Sequence, residues 1–411
     1  MPELIPPPDK SISHRALFLS ALASGDCTIY NLNQGFDVAA TLACLTELGL
    51  SASWDERGLK LRPGPLSSPN KTLNCANSGT TIRLLLGLLA GADIKGFLDG
   101  DDSLRARPMG GISEPLCSAG ASLRLTRGVY PPIEVVSGIK RDIAWTAKIP
   151  SAQVKSGLLL AGLVAGRSVR FSEPLRTRDH TERLLAWLGQ RISVGKDTVF
   201  HPGNPLPGFR IAIPGDPSSG AFLVAFRLIR PGPPLVLKGI CLNPTRMGFY
   251  NILLRMGARI AWDITEEGPE PVGNLFVEHS GRLSGVEVGP EEIPSAIDEL
   301  PLLGIIASVV EGEVLVRGAG SLRTKESDRI NLLVKNLLRQ GAEAEEFPDG
   351  FRVKGPFIFK GGAYETAGDH RLAMGFAVAS AAFGVDSRLD YPLAPSVSYP
   401  GFWEDLRRLS S

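Results

Sequence analysis

Five cysteines, at 27, 44, 75, 117 and 241, show no CxxC pair and no spacing that metal ligation uses. An odd, scattered set of this kind suits reduced thiols that pack as small hydrophobes, so a disulfide framework is excluded and no metal is expected. A surplus of charge of one sign is also missing, because 44 Lys and Arg face 43 Asp and Glu. No overall field recruits nucleic acid or an acidic membrane surface, and any anion binding must be local. Long apolar runs are missing too. The longest, Leu84 to Ala92 and Gly157 to Gly166, fall well short of the roughly 20 residues that a membrane span needs. The Pro-rich start, Met1 to Lys10, has no apolar centre of the kind a secretory signal carries. The expectation is a soluble, cytoplasmic protein.

What is present is length and repetition. With 411 residues the chain passes the roughly 250 to 300 at which one core stops growing, so two domains are the default. Hydrophobic content of 43% and charged content of 21% allow a sizeable core. A helix-like apolar pattern that ends near a Gly and runs into a strand-like segment recurs around Gly49, Gly120, Gly189, Gly257 and Gly341, with a weaker copy at Gly384. Each Gly stands where a helix end needs a left-handed backbone. Six such units would make two domains of three. The gap from Gly257 to Gly341 is the longest and contains Glu266 to Asn274, which reads as a surface loop. Pro214 to Ser219 reads as an interdomain crossing.

Polar clusters stand at the beginnings of the apolar helices. Asp9, Lys10, Ser11, Ile12, Ser13, His14 and Arg15 lead into Ala16 to Ala23, and Asn77, Ser78, Gly79, Thr80, Thr81, Ile82 and Arg83 lead into Leu84 to Leu89. Free amides at a helix start already favour anions, and a Gly there lets a ligand approach the backbone. No Gly-Lys-Ser/Thr follows, which disfavours a nucleotide triphosphate. Arg105 and Arg107 precede Pro108, Ser151 to Ser156 open another apolar helix, and Arg176 to Glu182 do likewise. In Arg323 to Arg329, the spacing puts Lys325 and Arg329 on one helical face with Glu326 beside them. Asp298 stands before the apolar run Leu300 to Val310, and Asp369, His370 and Arg371 before Leu372 to Ala382. Taken singly, each cluster also reads as a capped or solvated helix end. Together they suit a substrate with several negative charges.

In this order, from Lys10 almost to the C-terminus, the clusters resemble the signature motifs of the 5-enolpyruvylshikimate 3-phosphate synthase family, and Asn243, Pro244, Thr245 and Arg246 add to the likeness. The resemblance implies an α/β, two-domain enolpyruvyl transferase fold. Each domain would hold three βαββαβ units about a pseudo-threefold axis, as an inside-out α/β barrel. Residues 9–214 would form the N-terminal substrate-binding domain, and 1–8 with 215–411 the C-terminal one, with the active site in the interdomain cleft. The implied reaction moves the enolpyruvyl group of phosphoenolpyruvate to the 5-hydroxyl of shikimate 3-phosphate. Lys10, Gly79, Arg107, Gln153, Arg329 and Arg371 would line the phosphoenolpyruvate site. Ser11, Arg15, Ser151, Ala152, Gln153, Arg178, Asp298 and Lys325 would hold shikimate 3-phosphate. Asp298 matches the base, and Lys10 and Glu326 the groups that handle the proton at C3. No metal or organic cofactor is implied, and the family suggests a monomer.

Two departures stand out. The segment before Lys10 is short where relatives carry a longer strand, and Val397 stands where many relatives have a Lys. Gly79 keeps the small residue of glyphosate-sensitive members. The sister transferase that acts on UDP-N-acetylglucosamine carries a Cys where this chain has Asp102. An inactive anion-binding relative is the remaining alternative, against which Lys10, Asp298, Glu326 and Arg371 all stand.

Overall fold

The computed structural model describes residues 2–410. They divide into two compact units, Pro8–Ile213 on one side and the segment up to Pro7 joined by everything from Pro214 on the other.

Within Pro8–Ile213 one pattern is used three times. Strand Leu73–Asn74 runs parallel to Gly96–Asp99 with helix Gly79–Ala92 as the crossover; helix Gly110–Ser118 and the hairpin Ser122–Thr126 with Tyr130–Ser137 follow. The next copy has Ile143–Thr146, helix Ala152–Ala165, Val169–Ser172, helix His180–Trp187 and the hairpin Arg191–Val194 with Asp197–His201. The first copy takes its parallel strand from the end of the unit, where Arg210–Ala212 pairs with Cys27–Tyr30. Each copy therefore reads βαβαββ. This differs from the expected βαββαβ in the place of the second helix. The last two strands are antiparallel neighbours that need only a tight turn, whereas the second and third point the same way two places apart in the sheet and need a helical crossover.

The other unit repeats the scheme. Its first sheet borrows Glu3–Leu4, paired in parallel with Leu235–Cys241, so the short N-terminal segment still supplies a strand of two residues. Its last sheet has only Gly362–Tyr364 and Ser387–Leu389 among the described residues.

Helices lie inside and sheets outside. The crossover helices Pro217–Ile229, Leu300–Ile306 and His370–Phe383 pack on one another and are almost wholly buried, while no residue of the outer strand Glu343–Phe347 is buried. In the other unit, helices Gly79–Ala92 and Ala152–Ala165 approach so closely that a Cβ at Gly87 would fall 2.0 Å from the Gly157 carbonyl oxygen. Only Gly permits that approach.

All six glycines singled out in the sequence have a positive φ. Five end the second helix of their copies. Gly384 instead ends the crossover helix His370–Phe383, as Gly166 ends Ala152–Ala165, so the sixth match is out of phase with the other five. The long Gly257 to Gly341 gap also has another source. Residues 267–271 form the expected loop, as the turn between strands Arg259–Glu266 and Val272–Glu278, which take up the two ends of that stretch. Six or seven of the extra residues lie before the crossover helix Leu300–Ile306, where eleven, 289–299, stand in place of the four or five that precede Gly79, Ala152 and His370, and the long hairpin Arg259–Glu266 with Val272–Glu278 supplies others. The insertion at 289–299 carries Asp298. No helix among the described residues is long and apolar enough to cross a membrane.

Candidate active-site residues

In Pro8–Ile213 the beginnings of the crossover helices meet. Asp9 caps helix Lys10–Ala21 by accepting from the Ile12 amide, Ser78 caps Gly79–Ala92 from Thr81, and Ser151 caps Ala152–Ala165 from Val154. Gly79 and Ala152 are thus the first residues of their helices. The Arg83 Nη1 donates to the Gly79 carbonyl at 3.0 Å and to Gln153 Oε1 at 2.9 Å, and Gln153 Nε2 donates to Thr80 Oγ1 at 2.9 Å. Arg107 donates to the Asn77 carbonyl at 3.1 Å, to Ser103 Oγ at 3.0 Å and to the Asn77 side chain. A Cβ on Gly79 would lie 2.8 Å from Arg83 Nη1 and 3.3 Å from Arg107 Nη1. Gly79, Arg83, Arg107 and Gln153 therefore form one donor-rich cluster, and the missing side chain at Gly79 gives it room.

A second cluster surrounds Arg15. Its Nη1 donates to the Ser11 carbonyl at 2.8 Å, Nη2 to Ser156 Oγ at 2.7 Å and Nε to Thr181 Oγ1 at 2.7 Å. Lys10 pairs with Asp37 at 2.7 Å. Arg178 is half-buried, two residues before helix His180–Trp187. Behind the helix starts, His14 Nδ1 meets Thr41 Oγ1 at 2.7 Å, and Thr41 meets Thr81 Oγ1 at 2.7 Å. His14 is wholly buried. Burial first, then the charges of Lys10 and Arg15, push its titration well below the usual imidazole value, so it is neutral.

The other unit builds its cluster around Arg329, the first residue of helix Arg329–Arg339. Its Nε pairs with Asp369 at 2.7 Å, Nη2 with Glu326 at 2.6 Å and Nη1 with Asp298 at 3.5 Å. Burial works against this charge, but Asp369, Glu326 and Asp298 outweigh it and raise the guanidinium above its ordinary value. Arg371 Nη2 lies 3.8 Å from the second oxygen of Asp298, so that carboxylate sits between two guanidiniums. Arg371 Nε and Nη1 are buried without a hydrogen-bond partner, and Nη1 lies 4.0 Å from Glu299 Oε1. Asp369 also accepts from Ser327 Oγ at 3.1 Å and from the Arg371 amide at 2.9 Å, capping helix His370–Phe383.

Two local expectations need correction. Lys325 is not on the face of a helix with Arg329: a 3-10 turn, Gly320–Thr324, ends before it, and the helix begins only at Arg329 because Asp328 caps it. Asp298 is not a helix cap either; it stands in the turn between the short helices Ile293–Ala296 and Leu300–Ile306. Asp37, Arg83 and Asp369 are added to the candidates by their contacts. Arg83 and Asp369 stand within the polar clusters at helix starts, and Asp37 bears no sequence signal. Arg246, from the Asn243 to Arg246 segment, is buried against Asp216 and Ser218, each at 2.8 Å, and holds the start of helix Pro217–Ile229.

The sequence model of the EPSP synthase (3-phosphoshikimate 1-carboxyvinyltransferase) family matches residues 2–406. A 3-phosphoshikimate 1-carboxyvinyltransferase of Thermotoga neapolitana is 43% identical over 98% of this chain and 96% of its own length. One from Persephonella marina is 40% identical over the whole of this chain and 97% of its own. Among solved structures, an EPSP synthase from Acinetobacter baumannii superposes with a TM-score of 0.84 at 34% identity, covering 99% of this chain and 95% of that one. Sequence likeness over nearly every residue and likeness of fold agree with the ordered helix-start clusters, and the chain belongs to the EPSP synthase family.

Proposed function

We propose that this chain transfers the enolpyruvyl group of phosphoenolpyruvate to the 5-hydroxyl of shikimate 3-phosphate and releases phosphate, a step of aromatic amino acid biosynthesis. The observation that carries the reading is the Arg329 cluster, in which one buried guanidinium holds two partly exposed carboxylates, Asp298 and Glu326. Addition and elimination need a proton taken from a hydroxyl and a proton delivered to carbon, and two carboxyl groups in fixed relation supply such roles.

In this reading Asp298 takes the proton of the 5-hydroxyl as its oxygen attacks C2 of phosphoenolpyruvate. Glu326 and Lys10 deliver and later remove the proton at C3. The tetrahedral adduct then collapses as the C2–oxygen bond to phosphate breaks and the methyl carbon returns a proton, leaving the enol ether. Lys10, Gly79, Arg107, Gln153, Arg329 and Arg371 hold phosphoenolpyruvate. Their preset donors stabilise the departing phosphate without rearranging at the moment of reaction. Ser11, Arg15, Ser151, Ala152, Gln153, Arg178 and Lys325 hold the acceptor. The protein acts as a cytoplasmic monomer.

The test is phosphate release from phosphoenolpyruvate with shikimate 3-phosphate or UDP-N-acetylglucosamine as acceptor, beside an Asp298→Ala control. Release with shikimate 3-phosphate alone, abolished in the variant, is expected. Release with the nucleotide sugar, or with neither acceptor, would overturn the proposal.

A further inference from the structure

The segment that bears Arg178 is anchored by buried charges with no part in the chemistry above. Lys155, on helix Ala152–Ala165, has a side chain 1% exposed, and its Nζ pairs with Glu173 and Glu182, each at 2.8 Å. Glu173 follows strand Val169–Ser172 and accepts from the Thr177 amide at 3.0 Å and from Thr177 Oγ1 at 2.8 Å. The loop 173–177 is thereby closed on itself immediately before Arg178. Glu182 lies in the first turn of helix His180–Trp187, four residues after Arg178. One ammonium thus grips the chain on both sides of Arg178. It projects from a helix whose cap and first residues are Ser151, Ala152 and Gln153. The adjoining Ser156 and Thr181 hydroxyls, 2.7 Å apart, repeat the tie and share Arg15.

Hydrophobic side chains of similar volume often stabilise a core at least as well as a buried ion pair does, so stability is a weak account of such a group. What a charged, hydrogen-bonded set adds is a single geometry. Burial opposes the Lys155 charge, and Glu182 and Glu173 more than offset it, raising the amine above its ordinary value. The lysine is a permanent cation in the node.

We infer that Lys155, Glu173 and Glu182 are positioning residues that hold Arg178 in register with Ser151, Ala152 and Gln153, and so set the affinity for the acceptor substrate. This rests on the function proposed above. None of the three takes part in proton transfer, so their loss acts on acceptor binding and leaves the chemical step alone.

Steady-state kinetics of Lys155→Met and Glu173→Gln in the full chain test it. The expected result is a rise of about tenfold in KM for shikimate 3-phosphate, with kcat and KM for phosphoenolpyruvate within about twofold of the parent, as is usual for groups that orient a binding residue. If Lys155→Met does not fold, Glu173→Gln, a near-isosteric change, carries the same test. A double-mutant cycle with Arg178→Ala separates positioning from general destabilisation. In the Arg178→Ala background, Glu173→Gln should add almost nothing to KM, whereas additive effects would overturn the inference. A lowered kcat at unchanged KM would overturn it as well. If the parent releases no phosphate with shikimate 3-phosphate, it is the proposed function that fails; if the parent turns over and the variants keep its KM, the positioning role alone fails.

Discussion

The two arginine clusters are built on opposite electrostatic plans. In Pro8–Ile213, the hydrogen bonds described for Arg15, Arg83 and Arg107 end on hydroxyls, a carboxamide and backbone carbonyls. In the other unit, Arg329 ends on three carboxylates, and Arg371 faces Asp298, which the two share, and Glu299. Neutral acceptors orient the Arg107 guanidinium without spending its charge, which suits the anion-holding role proposed for it. Carboxylates orient and neutralise at once, so the second can keep acids and bases in place at a buried site. One plan fits the holding of anions and the other fits the handling of protons.

The largest expected effect falls on the second cluster. Asp298→Asn keeps the size of the side chain and removes the carboxylate proposed as the base, and should lower kcat by about 10²- to 10⁴-fold in a phosphate-release assay while the fold stays intact. A variant with near-parent kcat would remove proton handling from this cluster. Next comes stability. Arg329→Met strands the wholly buried Asp369 beside two more carboxylates and should destabilise by about 3–5 kcal/mol in urea unfolding. Arg107→Met leaves only neutral acceptors behind and should cost about 1–3 kcal/mol. Equal losses at the two sites would break the comparison.

A smaller effect tests the room left in the first cluster. The Cβ of Gly79→Ala would press on Arg83 Nη1 and Arg107 Nη1, both far ends of flexible side chains. They can move aside with little loss of stability, but a displaced donor no longer meets its anion. A rise in KM for phosphoenolpyruvate of about tenfold, with the melting temperature nearly unchanged, is expected, since misplacing a binding group by about 1 Å costs up to 10²-fold. An unchanged KM would show that the cluster binds nothing at that point.

Much of this was legible in sequence because its elements are local. Helix caps, the glycines after helices and the runs of Lys, Arg and Ser before apolar stretches depend on neighbours a few residues away. Asp37 was invisible because its partner Lys10 is 27 residues off and nothing local marks it. Asp369 and Arg329 meet across 40 residues, and Arg15 meets Thr181 across 166. Lys325 falls outside the helical phase for a local reason: the spacing that would join it to Arg329 runs through Asp328, which is the residue that starts the helix. The copy at Gly384 was out of phase because both helices of a copy can end in the same left-handed turn.

His14 offers the finest probe of the comparison, since it reports the field of the cationic cluster from behind. Its folded-state titration lies well below 6.5, through burial and then the nearby Lys10 and Arg15. Above pH 6.5 the imidazole is neutral in both folded and unfolded chains and contributes no pH dependence. Below it the unfolded chain takes up a proton that the folded one refuses, so stability falls as pH falls, by at most about 1.4 kcal/mol per unit, until the folded value is reached. His14→Gln should lose the Thr41 contact at every pH yet show a shallower decline between about pH 6.5 and 5 than the parent. Urea unfolding of the two proteins across that window measures the difference, and parallel slopes would mean that His14 takes up its proton in the fold as readily as in the unfolded chain. Lys10→Met, which removes one of the two repelling cations, should ease the decline only in part, because burial is the larger cause.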